Sequence, residues 1–344
     1  MDEVIYTFYP DENVAQLAFE KGDVDLVGWP IPAAQVIKML ENPKLTVRPT
    51  NELAWFYLAI NIENSPEGSA LKDKKFRQAV AYATDKDYIV GTLLRGYGAP
   101  LESPVSSFLK YWYNPDVGGK YPFDLAKAAA ILDEAEYVDS DGDGIRNNPT
   151  TGENLEFELI APFYDPIRQD SAKMIRDNLA QVGVKINVEM PEFDVLMQKV
   201  FLEHTFDLFI SGWGTDEADP DYLYNIFGDG GYGFGDEAGI NAPGPASSYS
   251  PRLEEILLEQ KRTVDSEERR ELIYEAQEIL TDELPFPYPV RICRTRLQNQ
   301  GAGDDRGIEK TLCCLSGEGK RNTIEIAIIR KIRIGNTWKR MART

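Results

Sequence analysis

Three stretches of this sequence carry residue types and spacings that could do chemistry. Asp139-Ser140-Asp141-Gly142-Asp143-Gly144-Ile145 sets three carboxylates at alternate positions. Such a run can converge on a hard cation, with Gly144 allowing the sharp turn and Ile145 offering its carbonyl. It matches the first half of a calcium loop, with Asp139, Asp141, Asp143 and Ile145 as ligands. The twelfth position is Thr150 rather than the bidentate Glu of an EF-hand, and an acidic turn ahead of a strand at 155–160 is the competing reading. In the second stretch, Gly212-Trp213-Gly214-Thr215-Asp216-Glu217-Ala218-Asp219-Pro220, two glycines let a ligand approach the backbone, Trp213 offers a stacking face and Asp216 could hold a cationic group. Spacing alone favours a structural Trp and a solvated acidic turn. The third, the Gly-rich run from Gly228 to Gly235, lacks the Lys-Ser/Thr of a phosphate loop and reads as a flexible loop.

Several chemistries are excluded by composition. The single histidine, His204, rules out reactions and zinc sites that need two, and no Ser-His or Cys-His nucleophile arrangement is credible around it. It lies at the end of an amphipathic stretch and reads as a surface or helix-end residue. A net charge of −20 opposes nucleic acid, whose phosphates repel an acidic surface. The opening Met1-Asp2-Glu3-Val4 is acidic where a secretory signal would be basic and then apolar, so nothing in the chain as written is expected to export it. No apolar run approaches the roughly 20 residues of a membrane span.

The elements that must position these residues alternate. Val4–Tyr9, Val24–Val27, 45–48 and 54–60 read as strands, with helices near 13–21 and 33–40. Two helices follow Lys74. Asp124 caps an Ala-rich helix, Asp165-Pro166 starts another that stops at Gly183, and Val184–Met190 alternates as a half-buried strand. A helix near 192–202 leads into a buried strand at 206–210, and capped helices begin at Ser250-Pro251 and Asp265-Ser266. Strand, helix, strand in this order predicts an α/β fold with helices packed on a sheet.

Four groups of residues resemble one family, the extracytoplasmic solute-binding proteins of ABC transporters of the oligopeptide/dipeptide-binding type (family 5). They are Lys21-Gly22-Asp23-Val24-Asp25; Lys75-Phe76-Arg77-Gln78-Ala79-Val80-Ala81-Tyr82-Ala83-Thr84-Asp85-Lys86 with Gly96-Tyr97-Gly98-Ala99-Pro100 after it; the Phe206–Pro220 block; and Arg269-Arg270-Glu271-Leu272-Ile273-Tyr274. The resemblance implies periplasmic-binding-protein-like (type II) lobes, with mixed sheets flanked by helices, that close on a ligand about hinge strands, one of them near 54–61. It also implies that the protein is not an enzyme, needs no cofactor, and hands a peptide to permease subunits in the membrane from the periplasm or outer cell surface. By the same resemblance Asp216 meets the ligand's α-amino group, Trp213 lines a side-chain pocket, and the backbone of Gly212, Gly214 and Thr215 faces the peptide. Ile210 stands where some peptide binders carry an arginine for ligand carboxylates, so the expected ligand is cationic or neutral.

The expected organisation is a remnant of the first lobe and hinge over 1–60, a second ligand-binding lobe over 61–285, and an atypical basic tail over 286–344. From Arg291 onward there are 13 Lys+Arg against 5 Asp+Glu, together with all three cysteines. That break in composition favours a shifted reading frame; the alternation of Ile324, Ile326 and Ile328 favours a natural strand. Two other functions compete: an oligosaccharide binder of the same family, and a calcium-stabilised glycoside hydrolase, whose two carboxyls would stand about 5–9.5 Å apart.

Overall fold

The structure is a computed structural model that describes residues 5–9, 12–24, 26–27, 39–42, 45–101, 103–215, 218–233, 239–287, 290–299 and 326–329. The chain divides into two compact units, Met1–Asn51 with Cys293–Thr344, and Glu52–Ile292.

In the first unit β1 (Tyr6–Tyr9), α1 (Glu12–Lys21) and β2 (Leu26–Val27) follow one another. α1 buries Ala15, Ala18 and Phe19, and Gly22 ends it at a positive φ of 79°, where a side chain would be strained. β9 (Ile326–Ile329) pairs antiparallel with both β1 and β2. Ile326 and Ile328 therefore sit in a strand, while Ile324 lies outside the described residues. The helix expected near 33–40 is described only at its last two positions.

The second unit is a sheet with helices on both faces. The strands expected at 45–48 and 54–60 are one strand, β3 (Leu45–Ile60), of which the part from Glu52 onward belongs to this unit. From Leu53 onward it pairs antiparallel with β7 (Leu208–Thr215), in register from Leu53↔Thr215 to Ile60↔Leu208. β5 (Glu156–Ile160) pairs parallel with both β7 and β6 (Lys185–Glu189), giving the order β3-β7-β5-β6. A short β4 (Gly98–Pro100) pairs with the start of β8 (Val290–Asn299).

Period-two alternation sends successive side chains to opposite faces. On one face Leu58, Ile60, Leu159, Leu208 and Ile210 pack against α2 (Lys74–Ala83), α3 (Leu125–Glu134) and α4 (Pro166–Ala180), through Phe76, Val80, Leu132, Ala172 and Ile175. On the other, Trp55, Tyr57, Ala59, Ile160 and Phe209 meet α5 (Phe193–Met197), α6 (Tyr222–Phe227), α7 (Pro251–Gln260) and α8 (Ser266–Glu283). Each fully buried Leu, Ile or Phe here contributes about 1.5–3 kcal/mol of burial free energy.

The predicted caps are in place. Asp124 accepts from the Lys127 amide at 2.8 Å, Asp165 from the Arg168 amide at 3.0 Å, and Asp265 from both Glu267 and Glu268. Within the Arg-Gln-Ala segment, Arg77 has a structural job. Its buried guanidinium donates to the carbonyls of Leu71, Lys72 and Glu283 and pairs with the Glu283 carboxylate at 3.1 Å, holding the end of α8 against α2.

Candidate functional site

β7 is longer than its parallel neighbour. β5 pairs with it only at Leu208 and Phe209, so among the described residues no strand pairs with Ile210–Thr215 on that edge. An unpaired stretch of sheet edge presents backbone donors and acceptors to an added strand. Along this stretch Ile210, Gly212 and Gly214 share one face with Phe56, while Ser211 and Trp213 share the other with Trp55 and Tyr57. Gly212 and Gly214 are exposed. A Cβ on Gly212 would stand 3.0 Å from Phe56 Cδ1, so the glycine lets that ring lie against the strand, and the two exposed glycines leave a shelf of bare backbone beside it.

The shelf continues as a rim across the carboxyl ends of β5 and β6. The Arg168 guanidinium lies 5.4 Å from the Phe56 ring centroid and 5.4 Å from that of Tyr164, and the Tyr164 ring is 6.1 Å from that of Phe193. Phe163, Tyr164 and Phe193 are 56%, 39% and 50% exposed and lie close together rather than singly on the surface. The Phe163 amide donates to the Pro191 carbonyl at 3.3 Å, tying the loop after β5 to the loop after β6. Arg168 Nε donates to Asp165 Oδ2 at 2.8 Å. Its charge also reaches the Tyr57 phenol, which burial pushes up and which Ser211 and Arg168 pull partly back. In open α/β sheets ligands bind beyond the carboxyl ends of the strands, where this rim lies.

The sequence-predicted residues divide around this strand. Gly212 and Gly214 open onto the shelf. Trp213 points to the other face, packed against the second core, with its indole N–H buried and without a hydrogen-bond partner among the described residues. The backbone of Thr215 ends β7, and Asp216 lies outside the described residues. Phe56, Phe163, Tyr164, Arg168 and Phe193 were missed by sequence reasoning. The only local signal was Phe163-Tyr164 between a strand end and a helix start, a place where aromatics are not needed for the core.

A cavity of about 410 Å³ opens at the amino end of β7, lined by Asn61, Glu158, Glu203, His204 and Asp207 among others. Its polar walls are occupied in holding the fold. Asn61 Nδ2 donates to the carbonyls of His204 and Phe206 at 2.9 and 2.7 Å, and Asp207 Oδ2 accepts from the Glu158 amide at 2.8 Å. The surface reading of His204 is corrected here. It follows a helical turn as expected but is only 2% exposed, because the chain turns inward at a φ of 51° and sets Nε2 against the Gly233 carbonyl at 2.8 Å. Burial lowers its proton affinity.

The acidic loop is an exposed, self-braced turn. The carboxylates of Asp139, Asp141 and Asp143 bring one oxygen each to within 4.8 Å of one another. The Gly142 and Gly144 amides both donate to Asp139, holding its carboxyl below the usual carboxylate range. Arg146 anchors the loop by donating to the Val182 carbonyl at 2.7 Å. Part of the Gly-rich run is also anchored: Asn241 Nδ2 donates to the Phe227 and Gly228 carbonyls at 2.9 and 3.1 Å, and residues 234–238 lie outside the described residues.

Helices on both faces of a mixed sheet, with a glycine shelf at the carboxyl ends of its parallel strands, define a periplasmic-binding-protein-like lobe. The solved structure of the oligopeptide-binding protein AppA from Bacillus subtilis, in complex with a nonapeptide, superposes with a TM-score of 0.70 at 22% identity, covering 85% of this chain and 55% of that one. The family described as bacterial extracellular solute-binding proteins, family 5 Middle, matches residues 1–234, and the chain belongs to it. Among relatives, AppA of Bacillus subtilis (strain 168) is 28% identical over 229 residues, 66% of this chain and 40% of its own length. The dipeptide-binding protein of Escherichia coli (strain K12) is 26% identical over 285 residues, 83% of this chain and 49% of its own length. The chain thus spans about half the length of the relatives it matches. Among the described residues no helix is long and apolar enough to cross a membrane.

Proposed function

We propose that this chain is the solute-binding component of an ABC importer, that it captures peptides on the β7 shelf outside the cytoplasm, and that it delivers them to permease subunits in the membrane. The observation that carries this is the unpaired edge of β7 at Ile210–Thr215, flanked by exposed glycines. An extended peptide is the ligand that completes such an edge with main-chain hydrogen bonds. The exposed aromatics give side chains apolar surface to cover, and the relatives named for oligopeptide and dipeptide binding support the same class of ligand. Gly212, Gly214 and Thr215 offer backbone, Trp213 supports the strand from behind, and Asp216 takes the α-amino group. Capture and release need no chemistry, so the binder is favoured over the glycoside hydrolase, and family membership supports that choice.

Titrating intrinsic Trp fluorescence with peptides and with cello-oligosaccharides tests the reading. Saturable response to peptides alone is the expected result, and response to the sugars alone would replace it with the oligosaccharide reading. Asp216→Ala should abolish the peptide response; unchanged affinity would remove the α-amino contact.

The convergence of Asp139, Asp141 and Asp143 supports a second, separate reading, a structural calcium ion completed by the Ile145 carbonyl. Added calcium should then raise the melting temperature and EDTA lower it. A melting temperature indifferent to both would end this reading and leave the braced acidic turn.

A further inference from the structure

We propose that β6 pairs edge to edge with β6 of a second copy of this chain, antiparallel and centred on Asn187, joining two sheets across a two-fold axis. The pairing does not depend on the peptide-binding reading. β6 ends the sheet: β5 pairs with one of its edges, and among the described residues no strand pairs with the other. The Lys185 amide donates to the Leu155 carbonyl at 2.9 Å, and the Ala161 amide donates to the Glu189 carbonyl at 2.9 Å. In a regular parallel strand alternate residues aim both backbone groups to the same side. Lys185, Asn187 and Glu189 therefore serve β5, and Ile186 and Val188 direct their N–H and C=O groups to the open edge. An edge of this kind is a template for another strand.

The side chains of β6 select which strand fits. Lys185, Asn187 and Glu189 are exposed on one face, and Ile186 is buried on the other. Charges on an edge commonly keep other strands away. Here they are placed so that β6 complements itself. An antiparallel copy bonds only where its open-edge residues, Ile186 and Val188, meet those of the first strand. Ile186 opposite Ile186 would set Lys185 against Asn187, and Val188 opposite Val188 would set Asn187 against Glu189. Ile186 opposite Val188 closes both hydrogen-bonded pairs, sets Lys185 opposite Glu189 on each side of the axis, and faces Asn187 with its own copy. Opposite charges directly across a strand pair stabilise it, and like charges destabilise it. Partners within the chain leave this register available. Lys185 Nζ lies 2.9 Å from Glu156 and Lys199 Nζ 2.9 Å from Glu189, but Lys185, Glu156 and Glu189 are 48%, 40% and 49% exposed. Ion pairs so exposed contribute little and can be exchanged across the axis. The contact uses the same patch on both copies and closes at two. The order β3-β7-β5-β6 keeps the β7 shelf on the far side of β5 from it.

Sedimentation velocity on the full chain, from roughly 1 µM to 1 mM, tests the pairing. The weight-average mass should climb from one chain toward two and no further. Raising salt to about 0.5 M should weaken the association at least roughly threefold, because the pairing charges are exposed. Lys185→Glu or Glu189→Lys alone faces like charges across the axis and should weaken dimerisation at least roughly tenfold. The two substitutions together restore opposite charges and should return the dimerisation constant to within about threefold of wild type. Asn187→Cys tests the register separately from charge. Facing residues of a non-hydrogen-bonded antiparallel pair have Cα atoms about 4.5 Å apart, within disulfide reach. Mild oxidation should therefore join two copies through position 187, identified by mass spectrometry of the linked peptide and so distinguished from links through Cys293, Cys313 or Cys314. A chain that stays monomeric over the whole range and forms no such link overturns the proposal and leaves a charged edge that keeps strands away. Dimers indifferent to both single reversals, or assembly beyond two copies, overturn it as well.

Discussion

The two ends of β7 both carry polar and aromatic groups and use them in opposite ways. At the amino end, Asn61, 2% exposed, spends its amide on two carbonyls of the turn before the strand, its Oδ1 on the Asn64 amide, and its own N–H on the Asp207 carbonyl. The cavity of about 410 Å³ is there, yet its walls are bonded to one another. At the carboxyl end what stands out among the described residues is capacity left over: an unpaired strand edge and exposed rings. Buried polar groups tied to one another specify a structure, whereas polar groups left with unused bonds at an accessible edge are available to a ligand.

The sharpest way to break this comparison is Asn61→Leu. It leaves the His204 and Phe206 carbonyls buried without their donor, and at about 1–3 kcal/mol for each such group the loss should approach 3 kcal/mol. Urea unfolding would measure it, and a midpoint close to wild type would show that the amino end is not the structural one. At the other end, Gly214→Val should change stability by less than about 1 kcal/mol, because the position is exposed, a Cβ there meets only Ala54 Cβ at 3.5 Å, and β-branched residues suit strands. Peptide affinity should fall at least roughly tenfold as the side chain fills the shelf. If stability and affinity fell together, the carboxyl end would be scaffold as well.

Acid should act through the amino end. Burial lowers the proton affinity of His204, so as pH falls from 7 toward 5 the unfolded chain takes up a proton that the folded one refuses, and stability is lost across that window. His204→Gln, which keeps a donor for the Gly233 carbonyl, should show a shallower fall in melting temperature over the same range. The smallest effect expected is at Asp207, whose carboxyl burial pushes up. Its ionised form is mildly unfavourable at neutral pH, so Asp207→Asn should raise the melting temperature slightly at pH 7. That gain should fade as acid protonates the wild-type carboxyl in the folded state. A lowered melting temperature at pH 7 would show that the carboxylate charge is needed there.

Much of the second unit could be read locally. The caps at Asp124, Asp165 and Asp265 were legible because a short carboxylate ahead of a helix start has one common use, accepting from the first-turn amides. The alternation of Val184, Ile186 and Val188 was legible for the same kind of reason, period two against a buried face. β3 was misread as two strands because Pro49 and Asn51 are poor strand formers, a preference that pairing partners override. The site was only partly legible. Gly212 and Gly214 stood out as glycines directly after the strand expected at 206–210, where the backbone can approach a ligand; the strand in fact continues through Thr215 and takes them in. Trp213 drew attention by its type, but the face it occupies depends on its register with Trp55.

What the sequence by itself determined is the set of helices and strands, the apolar faces that bury them, and the family to which their order belongs, since each follows from neighbours a few residues apart. What only the tertiary structure decided is the rim. Phe56, Tyr164, Arg168, Phe193 and Gly212 come from four separate segments and meet because the strand order β3-β7-β5-β6 sets the carboxyl ends of β7, β5 and β6, with the loops after β5 and β6, beside the antiparallel β3. Strand order is set by which faces pack together across the whole sheet, and no local pattern of residues encodes it.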